Sequence, residues 1–175
     1  MNILILPIGP PGSGKTYLRN QLQDYCLKKN LKFLYSNRDE NYKIVRKNNS
    51  LKQTRRILYD KLMDFYQMAN SGYYDIIYND SVNTSYEIRQ KFIDSIRPKK
   101  TIFINFRISI SNIQFLLNRT KERKQHPTFP DCEIKQGNII RKVLPKIEYE
   151  NLNDYVLEWD LLNDSDLLGK LKKYF

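Results

Sequence analysis

The sequence predicts an α/β fold in which five parallel strands form one sheet covered by helices on both faces. Two observations carry that prediction. Short apolar runs alternate along the chain with longer segments of helical period, and a glycine-rich stretch joins the first such run to the first such segment. At 175 residues the chain has the size of one domain, so a single domain over residues 1–175 is expected. Its hydrophobic residues, 41% of the total and spread over the whole length, can build one core without staples.

The elements follow in order. Strands rich in Ile, Leu, Val, Phe and Tyr are expected at Asn2–Ile8, Leu31–Ser36, Tyr74–Asp80, Thr101–Phe106 and Tyr155–Leu161. Between the first two, Leu18, Leu22, Tyr25 and Cys26 recur at i, i+4, i+7 and i+8, the stripe of a helix that faces a core. Leu51, Leu58, Leu62, Phe65 and Ala69 give a second stripe, and Ile88, Phe92 and Ile96 a third. The third helix stops at Arg97-Pro98, because proline disfavours the helical conformation at the residue before it. Ile113, Leu116 and Leu117 form the apolar face of a fourth helix. The segment from Lys121 to Lys135 then turns polar and carries Pro127 and Pro130; with its flanks, about 119–137, it reads as a helical lid. Helices around Asn138–Glu150 and over Asp166–Tyr174 complete the chain, and no internal repeat or low-complexity linker interrupts it.

Charge narrows the partners. Thirty Lys and Arg against 19 Asp and Glu give a net charge of +11, a field that attracts nucleic acid or nucleotide phosphates without choosing between them. The two cysteines, Cys26 and Cys132, form no Cys-x-x-Cys pair, which points to a reducing, intracellular setting rather than a disulfide framework or a zinc site. The apolar start Ile3-Leu4-Ile5-Leu6 is too short for a signal peptide, and no run approaches a membrane span, so a cytoplasmic protein without a membrane partner is expected. The abundance of Asn, Lys, Ile and Tyr matches an AT-rich coding sequence of viral or microbial kind.

The chemistry concentrates in Gly9-Pro10-Pro11-Gly12-Ser13-Gly14-Lys15-Thr16, a complete Gly-x-x-x-x-Gly-Lys-Thr pattern directly after a strand and directly before a helix. Glycines at 9, 12 and 14 let successive backbone N–H groups curl inward onto a β-phosphate, where the helix N-terminus adds partial positive charge. Lys15 then reaches the β- and γ-phosphates, and the Thr16 hydroxyl can ligate a Mg²⁺ that bridges them. ATP or GTP is the expected ligand. The bland alternative, a glycine-rich turn without a ligand, does not account for the full pattern in this context.

Other candidates stand at strand ends. Asn37-Arg38-Asp39-Glu40 follows the second strand at the edge where ligands bind in open α/β sheets, and Asp39 is the candidate general base. A solvated or helix-capping aspartate is its alternative. Asp80 ends the third strand at the same edge, able to orient substrate, a basic side chain or Mg²⁺-bound water, while Asn79 and Ser81 can simply cap the turn. Arg119 and Arg123, four apart, share a helix face at the entrance to the lid and can clamp a triphosphate, or can be a solvated basic helix end. His126, the single histidine, has no carboxylate at a recognisable spacing and is given no catalytic role.

On these residues the chain resembles the kinase domain of phage-type polynucleotide 5′-hydroxyl kinases, which has relatives inside fungal and plant tRNA ligases. Four features carry the resemblance over residues 1–150: Gly9 to Thr16; Asn37-Arg38-Asp39-Glu40, similar to the family's Asn-Arg-Asp-Asp; Ile76 to Asp80 followed by Asn83 and Arg89; and Asn118-Arg119 through Arg123. The resemblance implies a P-loop kinase fold in which Asp39 takes the proton from a 5′-hydroxyl. It also implies that Lys15 and Thr16 handle donor phosphates and Mg²⁺, that Arg119 and Arg123 belong to the donor-binding lid, and that Arg38, Asp80 and Arg89 lie on the acceptor side. The family's arginine shortly after the base is replaced here by Tyr42 and Lys43, with Arg46 further on; Arg38 or Lys43 can substitute. Neither the Asp-x-Asp-x-Thr of the phosphatase domain nor the Lys-x-Asp-Gly of ligases is present, so any phosphatase or ligase partner is a separate protein.

The leading expectation is therefore transfer of the γ-phosphate of ATP or GTP to the 5′-hydroxyl end of RNA or DNA. Tyrosines near the cleft, Tyr42, Tyr78 and Tyr86, can stack on a terminal base, although most of the 13 tyrosines are expected to pack. Two alternatives stay open: a small-molecule or nucleoside kinase of the same fold, and a nucleotide-dependent switch or binding module.

Overall fold

The computed structural model describes residues 2–121, 133–151, 155–160 and 166–175. Five strands, β1 (Ile3–Ile8), β2 (Phe33–Asn37), β3 (Ile76–Asp80), β4 (Lys100–Arg107) and β5 (Val156–Asp160), form one parallel sheet in the order β2-β3-β1-β4-β5. All five lie within two residues of their expected positions. β1 is buried along its entire length because it is central and covered on both faces, so its run Ile-Leu-Ile-Leu shows no polar alternation.

Alternate β1 side chains feed two cores, as the two-residue strand period requires. Ile3 and Ile5 join Leu18, Leu22 and Cys26 of α1 (Lys15–Lys28), Leu116 and Leu117 of α5 (Ile113–Lys121), Ile140 of α6 (Glu133–Val143) and Leu167 and Leu171 of α7 (Leu167–Lys172). Leu4 and Leu6 turn to the other face and meet Phe65 and Ala69 of α3 (Leu51–Asn70) and Ile96 of α4 (Tyr86–Ile96). The helices begin where the sequence supplies caps. Ser50 and Gln53 make a reciprocal capping box on α3, and Ser85 and Asp166 accept N–H bonds at the starts of α4 and α7.

Several expectations need correction. The Arg38-Asp39-Glu40 segment is the first turn of a short helix, α2 (Arg38–Arg46), that leaves β2 with no loop. Its charges suit the helix dipole, with Asp39 and Glu40 in the first turn and Lys43 and Arg46 in the last. Only Val45 is buried while Ile44 is 70% exposed, so the segment carries no readable apolar stripe. On α3 the expected stripe holds at Phe65 and Ala69, but Leu51 is 54% exposed. On α4 it is Arg89, 1% exposed, that turns inward beside Ile96, whereas Ile88 points out. The helix expected over Asn138–Glu150 ends at Val143, passes through a 3₁₀ turn at Leu144–Lys146 and runs on as non-helical chain, because Pro145 removes an N–H donor. The central part of the expected lid, including Arg123 and His126, lies outside the described residues. Among the described residues no helix is long and apolar enough to cross a membrane.

Candidate functional site

The glycine-rich loop leaves the carboxyl end of β1 and enters α1 without a side-chain cap. Gly14, at φ 97°, occupies the cap position in left-handed geometry, and the first turn holds no acidic residue. The contrast with the capped α3, α4 and α7 is chemical: no side chain caps the first N–H groups of α1 here, and that end carries the positive pole of the helix.

The glycines are required by space as well as by angle. A Cβ on Gly9 would stand 2.6 Å from Phe106 Cβ, and on Gly12, at φ 85°, it would meet Thr120 Cγ2 at 3.0 Å and the Leu116 carbonyl at 3.1 Å. The loop is thus packed against β4 and α5. Arg119 lies against its other side, with Nη2 3.3 Å from the position a Gly14 Cβ would take.

Lys15 is 8% exposed and folds back across the loop, its ammonium donating to the Gly9 carbonyl (3.0 Å), the Pro10 carbonyl (2.7 Å) and Ser13 Oγ (3.2 Å). Three acceptors thereby hold the charge where phosphate oxygens can replace them. The base of the site is fixed from β3: Tyr78, fully buried, donates its hydroxyl to the Lys15 carbonyl at 2.7 Å. Burial pushes its phenol well above the usual range, the charge of Asp80 adding to the rise, so it remains a donor at any ordinary pH. Tyr78 is therefore a core residue and not a stacking platform.

Because β3 lies beside β1, Asp80 reaches α1 directly. Thr16 Oγ1 donates to Asp80 Oδ1 at 3.4 Å, and Arg19 Nη1 lies 3.3 Å from Asp80 Oδ2 and 3.2 Å from Glu40 Oε1. The Arg19 guanidinium also stacks 4.5 Å from the centre of the Tyr35 ring. Burial raises the Asp80 carboxyl above its ordinary value, although Arg19, Lys15 and the Thr16 hydroxyl all pull it down, and the charge of Glu40 raises it further. The sequence does not single out Arg19, nor give Glu40 a role beyond its place in Asn37-Arg38-Asp39-Glu40. Arg19 had a signal, since it stands four residues after Lys15 on the same helix face.

One hydroxyl and one carboxylate oxygen side by side at the end of the loop form the sparse protein ligand set that Mg²⁺ uses when phosphates and waters complete its octahedron. The residues thus fit that ion. Among the described residues no group of three or more His, Cys, Asp or Glu gathers to hold a metal without phosphate.

The turn after β3 is tied back to the loop by Asn83, itself at φ 50°. Its Nδ2 donates to the Pro7 carbonyl (2.8 Å), its Oδ1 accepts from Asn79 Nδ2 (2.7 Å) and Ser81 Oγ (2.6 Å), and its carbonyl accepts from Arg89 Nη1 (2.8 Å). Arg89 is further held by Glu150 Oε1 at 2.7 Å and packs 4.5 Å from the centre of the Tyr86 ring. Expected on the acceptor side, Arg89 is found inside the frame that supports it. Arg38 and Asp39 are exposed at the start of α2, on the same sheet edge as Asp80, to which Asn37 is paired in register. Arg46 donates to the Asn49 carbonyl at the far end of α2. Beside the loop, Gly14, Tyr17, Phe106, Arg119, Trp159 and Asp166 line a cleft of about 210 Å³.

No protein-family model matches the sequence, and no curated protein matches it. Solved structures do. A fungal RNA kinase is similar at TM-score 0.65 and 17% identity over 99% of this chain and 44% of its own. A gluconokinase from Sinorhizobium meliloti 1021 is similar at TM-score 0.56 and 15% identity over 98% and 87%. The Mycobacterium tuberculosis APS kinase CysC, solved with AMPPNP and APS, is similar at TM-score 0.59 and 11% identity over 99% and 95%. These neighbours include an RNA kinase and small-molecule kinases, and what they share with this chain is the architecture. The chain has the α/β fold of the P-loop kinases, with a five-stranded parallel sheet and seven α-helices among the described residues.

Proposed function

We propose that the chain is a kinase that moves the γ-phosphate of ATP or GTP onto the 5′-hydroxyl end of RNA or DNA. The observation that carries the reading is the convergence of three strand ends on one edge: Lys15 and Thr16 from the loop after β1, Asp80 from β3, and Asp39 from the first turn after β2. Donor phosphates at the loop and an acceptor hydroxyl at α2 would then meet over Asp80. The basic surface and the four ordered motifs favour a polynucleotide as the acceptor.

In this reading the Lys15 ammonium leaves the Gly9 and Pro10 carbonyls for the β- and γ-phosphate oxygens, and the uncapped start of α1 binds the β-phosphate. Asp39 accepts the hydroxyl proton as the new O–P bond forms and the bond from the γ-phosphorus to the bridging oxygen breaks, releasing the nucleoside diphosphate. Mg²⁺, held through Thr16 with Asp80 beside it, neutralises phosphate charge when bound. Arg119, beside the loop, faces the donor, and the sequence adds Arg123 four residues on as a second candidate cation for the phosphates. Arg38 and Lys43 bind the acceptor phosphate next to the base. Lys43 lies one turn along α2 from Asp39, whereas Arg46 is about 10 Å further down the axis from the base at ~1.5 Å per residue. The cleft beside Gly14 receives the donor's base, with Tyr17 and Trp159 as aromatic surfaces.

The test is transfer of labelled γ-phosphate from ATP or GTP, with Mg²⁺, to 5′-hydroxyl RNA and DNA oligonucleotides. Wild type transfers, while Asp39→Ala and Lys15→Ala lose transfer by at least ~10²-fold, the scale of a removed general base. Absence of transfer to any oligonucleotide, with nucleotide binding intact, would overturn the polynucleotide reading and favour a small hydroxyl acceptor. Full activity of Asp39→Ala would remove the residue from the chemistry.

A further inference from the structure

The opposite edge of the sheet has a composition that the kinase reading does not use. Five parallel strands start there, and α1 and α7 end there, so the lysines at these positions collect on one ledge: Lys28 and Lys29 at the end of α1, Lys32 before β2, Lys100 at the start of β4, and Lys172 and Lys173 at the end of α7. Bonds and ring packing between elements make them neighbours. Lys100 Nζ donates to the Tyr174 carbonyl at 3.4 Å, and the Tyr25 ring packs 5.8 Å from Phe175, which ties β4, α7 and α1 together at this end.

Tyrosines alternate with these cations. Lys100 Nζ lies 5.2 Å from the Tyr155 ring centre and 4.7 Å from that of Tyr174; Lys172 is 5.7 Å from Tyr25, Lys173 4.9 Å from Tyr174 and Lys32 5.5 Å from Tyr73. Two of the rings are widely open to solvent, Tyr73 at 59% and Tyr155 at 50%. Asp75, an acidic residue at this same end, has its carboxylate engaged in accepting the Lys32 N–H at 2.9 Å.

We infer that this ledge is a docking surface for single-stranded nucleic acid, separate from the edge that carries the phosphate loop. Rings and ammonium groups in alternation match a strand whose bases and phosphates alternate, with stacking on the open tyrosine faces and lysines meeting the phosphates. The ledge spans five strands at ~4.8 Å spacing, about 19 Å, room for several nucleotides. Strands of five to eight residues separate it from the phosphate loop by roughly 17–26 Å at ~3.3 Å per residue. A chain held here is therefore held away from any reacting end, so the ledge serves affinity and not chemistry.

The experiment measures binding of a fluorescent single-stranded 20-mer carrying a 5′-phosphate, in the absence of nucleotide, by anisotropy over a salt series. An oligonucleotide without an acceptor hydroxyl reads the ledge whether or not the chain is a kinase. The ledge variant Lys29→Glu, Lys172→Glu, Lys173→Glu changes exposed side chains only, and Lys61→Glu, Lys91→Glu, Lys142→Glu makes the same change in net charge elsewhere. We expect the ledge variant to lose at least tenfold in affinity and its salt slope to fall by about 2, at ~0.7 for each phosphate that is no longer neutralised, while the control variant loses much less. Tyr155→Ala should weaken binding without altering the slope, and unchanged thermal unfolding certifies the fold. Equal loss in ledge and control variants would overturn the proposal, leaving net charge alone as the cause. Failure of wild type to bind the 20-mer would overturn it too, as would a ledge effect confined to phosphatidylserine vesicles.

Discussion

Replacing Arg19 with alanine tests whether the site's charges are held by one another. Arg19 and Asp80 are both buried, their side chains 8% and 5% exposed, at an N–O distance of 3.3 Å. Removing one partner of such a pair costs about 3–5 kcal/mol, because the remaining charge is left without compensation. The ion pair with Glu40, 45% exposed, adds less than ~1 kcal/mol, and the stack on Tyr35 about 0.5–1 kcal/mol. A loss near 4 kcal/mol corresponds to a fall of about 2 M in the urea midpoint at a slope of ~2 kcal/mol/M.

The pH dependence separates the electrostatic part from the packing part. Asp80 already holds its proton more tightly in the fold than in the unfolded chain, so this group costs stability as pH rises from about 3.9 through its raised folded value. Without Arg19 the folded value climbs further, and the cost is full above it. Below it a neutral Asp80 needs no counter-charge, so the variant's deficit should shrink as pH falls. In an Asp80→Asn background Arg19→Ala should cost about 1–2 kcal/mol, essentially packing. A coupling between the two substitutions below ~0.5 kcal/mol, or a deficit independent of pH, would refute the account.

Three further outcomes follow from the same geometry. Gly12→Ala should cost about 2–4 kcal/mol and abolish nucleotide binding, because its Cβ meets the Leu116 carbonyl at 3.1 Å, whereas Gly72→Ala, at φ 75° in open space, should cost only about 1 kcal/mol and leave binding unchanged; urea unfolding and nucleotide titration check both. Tyr78→Phe removes the 2.7 Å bond to the Lys15 carbonyl and should destabilise by about 1 kcal/mol, read as a lowered unfolding midpoint with no dependence on pH between about 5 and 9. Burial, helped by the charge of Asp75, pushes the Cys26 thiol up to about 11, so iodoacetamide at about pH 8 should leave Cys26 unmodified in the folded chain and label it in urea, as mass spectrometry of its peptide would record.

Strands were legible because burial on both faces leaves unbroken apolar runs, and the phosphate loop because its residues are demanded locally by backbone geometry. α2 was not legible, since a nine-residue helix with one buried side chain has no period to detect. Arg89 misled in a related way: the apolar count favours Ile88 as the inward residue, yet the guanidinium is buried because Glu150 and the Asn83 carbonyl, 61 and 6 positions away, satisfy it. Asn83 stands out in the sequence only through the family resemblance, and its function as the tie between β1 and the β3 turn needs the strand order. Sequence spacing cannot reveal bonds between residues 76 positions apart, such as Asn83 to Pro7.

In the proposed reaction the strand order also gives two adjacent carboxylates different duties. β3 lies between β1 and β2, so Asp80 is walled in by α1 on one side and by the start of α2 on the other. Glu40 points back over that wall to Arg19, and successive residues of a helix differ by about 100°, so Asp39 faces elsewhere. In the proposed reaction Glu40 could serve an incoming hydroxyl only by releasing Arg19 and opening the frame, which is why we assign that duty to Asp39. Glu40→Gln should therefore leave phosphoryl transfer within about threefold of wild type, while Asp39→Asn removes it at a stability loss of no more than about 1 kcal/mol, the scale of a first-turn charge on the helix dipole. If Glu40→Gln instead abolished transfer while the fold and nucleotide binding held, the base would have to be reassigned to Glu40 and Arg19 to its activation.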